Sequence, residues 1–223
     1  MIAIDGYAAT GKSTTAKNVA EKLGYTFINS GAMYRAVTYY MLQHNIPIDA
    51  HSPKFLAALE EVFIEFRPDP ENGMMQVYLN GENVEGGIRS MEVNAKVSEV
   101  AAISEVRKRL VRIQRAIGKQ GGVVMDGRDI GTVVFPNADF KFFLTADMEV
   151  RVKRRLLQME LAGKEVDPAE VRKNLAHRDH IDTSREDSPL RKAEDAIEID
   201  TSTLTFEGQV AMIIDRVTRV AQV

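Results

Sequence analysis

Nine consecutive residues near the start of the chain have the types and spacing to hold phosphate. Gly6-Tyr7-Ala8-Ala9-Thr10-Gly11-Lys12-Ser13-Thr14 fits a glycine, any four residues, then Gly-Lys-Ser/Thr. In such a loop the glycines let the backbone curl so that N–H groups face phosphate oxygens. The lysine adds a mobile charge, and the serine hydroxyl suits Mg²⁺. All nine residues, Gly6 through Thr14, are therefore expected to bind a nucleotide phosphate, with Ser13 on the metal side. A second cluster is Asp126-Gly127-Arg128-Asp129, which follows the apolar run Gly122-Val123-Val124-Met125. A carboxylate at a strand end beside a phosphate loop can hold waters around a largely hydrated Mg²⁺, which makes Asp126 a metal candidate through water. The third is Arg178, Asp182 and Arg185, spaced by four and three residues so that they share one helical edge. Alone this is an ion-pair ladder, but in a chain with a nucleotide loop it becomes a mobile clamp for a transferring phosphoryl group.

The elements around these residues must deliver them to one place. Met1 to Asp5 is an apolar strand, and Ala16, Val19, Ala20 and Leu23 give the following segment helical spacing up to a stop at Gly24. Strand, loop and helix in that order set a positive helix N-terminus under the anion. A second strand, Tyr25 to Asn29, leads to a helix with Ser30 as N-cap that carries Arg35 and runs through Met41 and Leu42. Between about 47 and 87 the pattern changes to hairpins: Phe63-Ile64-Glu65-Phe66 pairs with Gln76-Val77-Tyr78-Leu79, with turns at Asn72-Gly73 and Asn80-Gly81.

Helical spacing resumes from Met91 to Ile117 with a break near Ser104. Ser98 and Arg107 lie in these helices and, on residue type alone, read as exposed polar positions. Strands at Gly122 to Asp126 and Phe140 to Leu144 precede a helix from Asp147 to Leu161, where Arg151, Lys153, Arg154 and Arg155 read as a solvated basic face. Asp167-Pro168-Ala169-Glu170 starts another helix with a cap, a first-turn proline and a capping-box glutamate. Ala196 to Asp200 forms a fifth strand, and Asp200-Thr201-Ser202 lies at the rim where backbone groups could meet an adenine. The last helix has Val210, Ile213, Ile214, Val217, Val220 and Ala221 on one stripe.

Composition narrows the class. With 223 residues, 44% of them hydrophobic, the chain can bury a large core. A formal charge of −3 gives no global basic field, so neither nucleic acid nor an anionic membrane is an expected partner. The absence of cysteine excludes disulfides and thiolate metal sites. The first residues lack the basic start and apolar core expected of a signal peptide and no apolar run is long enough to span a bilayer, so a cytoplasmic location is expected.

Four stretches carry a family likeness: Ile4-Asp5-Gly6 into the phosphate loop, Asn29-Ser30-Gly31-Ala32-Met33-Tyr34-Arg35, Leu79-Asn80-Gly81-Glu82, and Asp126 through Pro136. Together they resemble the bacterial cytidylate kinases over nearly the whole length. Two departures are the variable loop positions Tyr7-Ala8-Ala9-Thr10 and the segment His177-Arg178-Asp179-His180-Ile181, which is poorer in arginine than the family pattern.

The resemblance implies an α/β, three-layer P-loop NTPase fold with a five-stranded parallel sheet, a small β-containing insertion that binds the nucleoside monophosphate, and a helical lid. The corresponding boundaries are 1–46, 87–150 and 190–223 for the core, 47–86 for the insertion and 151–189 for the lid. It implies Mg²⁺-dependent transfer of the γ-phosphoryl of ATP to CMP or dCMP by a monomer, in pyrimidine nucleotide metabolism. By motif position, Arg35, Arg128 and Arg185 would hold the acceptor phosphate, Ser98, Arg107 and Asp129 the cytosine, and Arg178 and Asp182 the sugar. Ser30 joins the acceptor set, Arg154 the ATP set, and Lys12, Arg128, Arg178 and Arg185 the catalytic set. Cytosine offers an exocyclic amino donor beside ring acceptors, which a carboxylate with hydroxyl and guanidinium donors can match. Uracil would turn a carbonyl toward Asp129. A UMP or AMP kinase of the same family and a non-catalytic nucleotide binder are the alternative readings. No Asn-Lys-x-Asp guanine motif is present.

Overall fold

The computed structural model describes residues 1–119, 121–161 and 163–220. Its centre is a five-stranded parallel sheet flanked by helices, in the order β2-β6-β1-β7-β8. The strands are β1 (Ile2–Gly6), β2 (Thr26–Asn29), β6 (Val123–Gly127), β7 (Phe140–Thr145) and β8 (Ile197–Asp200). Every residue of β1 and β6 is buried, as expected for strands covered on both faces. Pairing sets Asp5 opposite both Gly127 and Phe143, and Thr145 opposite Asp200. The carboxyl ends of these strands therefore form one rim, where ligands of open α/β sheets bind.

The chain divides into two compact units, one of residues 1–26 with 121–223 and one of residues 27–120. In the first, α1 (Lys12–Leu23) is bracketed by left-handed glycines, Gly11 at φ 89° and Gly24 at φ 66°. Helices α6 (Met148–Leu161), α7 (Pro168–Ser184) and α8 (Phe206–Val220) complete it. Asp167 caps α7 by accepting from the Ala169 N–H, with Pro168 in the first turn. On α8 the residues Val210, Ile213 and Val217 are buried while Ile214 is partly exposed, and Ala221 lies outside the described residues.

The second unit contains α2 (Ser30–Gln43), α3 (Pro53–Glu60), the antiparallel sheet β3 (Ile64–Pro68), β4 (Met75–Leu79) and β5 (Glu82–Asn83), then α4 (Met91–Ala102) and α5 (Ser104–Gly118). Asn80 and Gly81 both have positive φ, the geometry that a two-residue hairpin turn demands. Inward Ile64, Val77 and Leu79 join Met33, Val37 and Met41 of α2 and Val97 and Val100 of α4 in one apolar cluster. The hairpin is thus stabilised by the helices before and after it, since two or three short strands alone bury too little.

One helix boundary differs from the expected one. The N-cap of α2 is Asn29, whose Oδ1 accepts from the Ala32 N–H at 3.1 Å, and Ser30 is the first helical residue. Both residue types cap well, and the strand's end puts Asn29 in the extended conformation a cap needs.

Candidate active site

The phosphate loop joins β1 to α1. Gly6 has φ 149°, and a Cβ there would come within 2.1 Å of the Leu144 carbonyl oxygen, so only glycine lets the chain pass β7. Lys12 is buried and donates from Nζ to the Tyr7 carbonyl at 2.9 Å. Burial, then the nearby Arg128, push its pKa down to about 7. Ser13 Oγ donates to Asp126 Oδ2 at 2.5 Å, which brings the two metal candidates together from β6 and the loop. Burial raises the Asp126 pKa, against the pull of Lys12 and Ser13. These are hard oxygen donors, few in number, as Mg²⁺ prefers when phosphates and water complete its shell.

Other segments brace the loop. Gln209 of α8 accepts from Thr15 Oγ1 at 3.0 Å. Arg154 of α6 reaches the Thr10 carbonyl at 3.2 Å and the Thr201 carbonyl at 2.6 Å, and Thr201 is itself fully buried between the loop and β7. The expected solvated face of α6 is corrected here. Arg151 is buried and donates to Asp179 Oδ2 of α7 at 2.7 Å and to the Ala146 and Ala8 carbonyls, with its guanidinium 5.3 Å from the Tyr7 ring. Ala8 also packs with Val152, Val171 and Leu175. Helix α7 is therefore fastened to α6 by an ion pair, and both helices reach the phosphate loop through Ala8. Nothing in the basic run Arg151 to Arg155 distinguishes Arg151 from an exposed neighbour, so the sequence offers no signal for it.

The loop after β6 supplies Arg128 and Asp129. The expected ladder along α7 keeps its Asp182–Arg185 rung and is extended by a network across elements. Arg128 Nε donates to Asp182 Oδ2 at 2.6 Å, while Arg185 stands 3.7 Å from both Asp182 and Asp129. Arg185 has left the helix and forms its C-cap, which frees its side chain to point inward. Burial opposes ionisation of Asp182, but Arg128, Arg185 and Arg178 outweigh it and hold its pKa below the usual carboxylate range. Arg178 lies against like charge: burial and then Arg128 lower its pKa to about 10, and its Nε makes no hydrogen bond among the described residues. Lys12, Arg128 and Arg178 thus lie close enough for Arg128 to lower the pKa of the other two, with Asp182 opposing that effect on both.

In the second unit, Ser98 and Arg107 are buried, which corrects the expectation of exposed positions. The break at Ile103 between α4 and α5 lets Arg107 reach back to the Ala101 carbonyl at 3.3 Å, with its guanidinium 5.6 Å from the Tyr34 ring. At 1% exposure, an arginine is costly to bury unless its guanidinium is paired and hydrogen-bonded. Arg35 donates to Asn94 Oδ1 at 2.7 Å, and Ser30 is buried at the start of α2.

Comparison with known proteins identifies the family. The sequence profile of the cytidylate kinase family matches residues 2–219. The cytidylate kinase of Flavobacterium psychrophilum is 51% identical over 221 residues, 98% of each chain. That of Cytophaga hutchinsonii is 51% identical over 216 residues, 96% of this chain and 92% of the other. A crystal structure of an uncharacterized protein from Eubacterium ventriosum superposes with a TM-score of 0.52 over 98% of this chain and 97% of that one; at 13% identity this likeness concerns the fold alone. With a family profile running almost end to end and relatives sharing half their residues over the same span, the chain belongs to the cytidylate kinase family.

Proposed function

We propose that this chain transfers the γ-phosphoryl group of ATP to CMP or dCMP, giving ADP and CDP or dCDP, as a cytoplasmic monomer that binds neither membrane nor nucleic acid. The observation that carries the reading is the family match across residues 2–219, on a phosphate loop in which Lys12, Ser13 and Asp126 stand together. Phosphoryl transfer needs positioning and charge stabilisation more than acid or base chemistry. Lys12 exchanges the Tyr7 carbonyl for phosphate oxygens, and the loop amides from Gly6 to Thr14 cradle the ATP phosphates, with Arg154 alongside. Ser13 and, through water, Asp126 would hold Mg²⁺, which when bound offsets charge on the β- and γ-phosphates.

Arg128 and Arg185 receive the acceptor phosphate, with Arg35 in the same role on the second unit, beside Ser30. Asp129 accepts the cytosine amino group, and Ser98 and Arg107 are assigned to the same base. Arg178 and Asp182 meet the sugar. Residues 47–86 act as the monophosphate-binding insertion, and residues 151–189 act as a lid that brings Arg178 and Arg185 over the transferring group and excludes water.

Turnover coupled to ADP release, run with CMP, dCMP, UMP and AMP side by side, tests the activity. CMP or dCMP should lead UMP, because a uracil carbonyl facing Asp129 leaves a buried carboxylate against an acceptor, a mismatch of about 1–3 kcal/mol. Equal rates with UMP would refute the base assignment. Wild-type turnover of Arg185→Ala at saturating substrates would refute the lid assignment.

A further inference from the structure

Asp5 carries no task in the mechanism above, yet it is 4% exposed and forms no ion pair among the described residues. Each of its oxygens instead accepts one backbone N–H from the loop after β6: Oδ1 from Ile130 at 2.8 Å and Oδ2 from Gly131 at 2.7 Å. Those two amides open a single wide helical turn, Ile130–Val134, closed by the Phe135 N–H on the Ile130 carbonyl at 2.7 Å. The first amides of any helical turn lack partners within it. Asp129 occupies the capping position of this turn, but its side chain makes no capping bond. Its carboxylate stands 3.7 Å from Arg185 instead. The cap comes from another strand, 125 residues away in sequence.

We infer that Asp5 is a positioning residue for acceptor binding: by capping the 130–134 turn from β1, it releases the Asp129 carboxylate from capping its own loop and fixes Arg128 and Asp129 in place. The inference rests on the reading of Asp129 as the residue that meets the acceptor base. The residue type follows from the chemistry. Two adjacent donors need two acceptor atoms; a carboxylate offers both, and an amide turns one into a donor. The approach is close: a Cβ on Gly131 would touch Asp5 Oδ2 at 3.4 Å and press on the Lys141 side chain, 3.2 Å away at Cδ. Lys141 holds the far side of the same loop through the Pro136 carbonyl and Asp195.

The test is Asp5→Asn, nearly isosteric, in the full chain. We expect KM for CMP to rise about tenfold, the effect of one lost backbone hydrogen bond, with KM for ATP within about twofold of wild type. Amide exchange at Ile130 and Gly131 should quicken while melting stays cooperative. Asp5→Ser, which keeps one acceptor, serves the same purpose if the asparagine variant does not fold. An unchanged KM for CMP would overturn the inference, and so would a parallel rise in KM for ATP, because Asp5 would then be supporting the phosphate loop. Asp129→Asn, measured alongside, judges the underlying reading separately. If its preference for CMP over UMP is intact, base recognition by Asp129 fails, while the KM split and the amide exchange of Asp5→Asn still decide whether Asp5 holds the turn.

Discussion

Lys12 and Asp5 are both buried titratable groups, and burial drives both toward neutrality, Lys12 down to about 7 and Asp5 up to about 7. For Asp5 the consequence for stability has a definite sign. Its unfolded pKa is near 3.8, so the folded state holds the extra proton between about 4 and 7. That contribution is complete below the unfolded value and is lost as pH rises toward 7. The melting temperature of Asp5→Asn relative to wild type should therefore increase across this window and level off above it. A flat difference would mean that Asp5 is ionised throughout. Lys12 gives a second prediction: Lys12→Ala should lower turnover by about 10²–10³-fold while CMP binding measured by calorimetry without ATP stays within about twofold of wild type.

At the level of elements, α7 is held to α6 by the Arg151–Asp179 pair and to the phosphate loop by the cluster of Ala8, Val152, Val171 and Leu175. Removing one partner of such a shielded pair leaves the other charge stranded, so Arg151→Ala should cost about 3 kcal/mol in urea unfolding. Arg151→Ala with Asp179→Ala together should cost less than the sum of the two single changes, as a double-mutant cycle would show. The start of α2 offers a smaller test of the reassigned cap. Asn29→Ala should cost about 1 kcal/mol, whereas Ser30→Ala should leave the helix end intact because the cap bond belongs to Asn29.

For the whole molecule, a net charge of −3 coexists with a local cluster of cations, Lys12, Arg128, Arg178 and Arg185, interleaved with the carboxylates of Asp126, Asp129 and Asp182. Nucleotide affinity should accordingly weaken as salt rises from about 0.05 to 0.5 M, where the screening length falls below about 5 Å. Duplex DNA should not compete for the site, which equilibrium binding with a labelled duplex would check. Each compact unit has its own apolar cluster, which is why the hairpin of residues 64–83 is ordered although its strands are short.

What the sequence determined by itself is what short-range geometry dictates. Gly6, Gly11 and Lys12 lie within seven residues, so the loop's shape and its lysine follow from local backbone freedom. The central strands announce themselves as apolar runs, and the turn at Asn80-Gly81 needs only those two residues. The family motifs pointed to Arg128, Asp129, Arg178, Asp182 and Arg185 as a set, but not to the pairs they form. Only the tertiary structure decided that Asp182 takes Arg128, that Arg151 is buried under Asp179 instead of solvated, and that Asp5 caps a turn 125 residues downstream. Such contacts depend on where strands and helices return in space, and no residue spacing encodes the burial that turns an ordinary arginine or aspartate into a fixed part of a site.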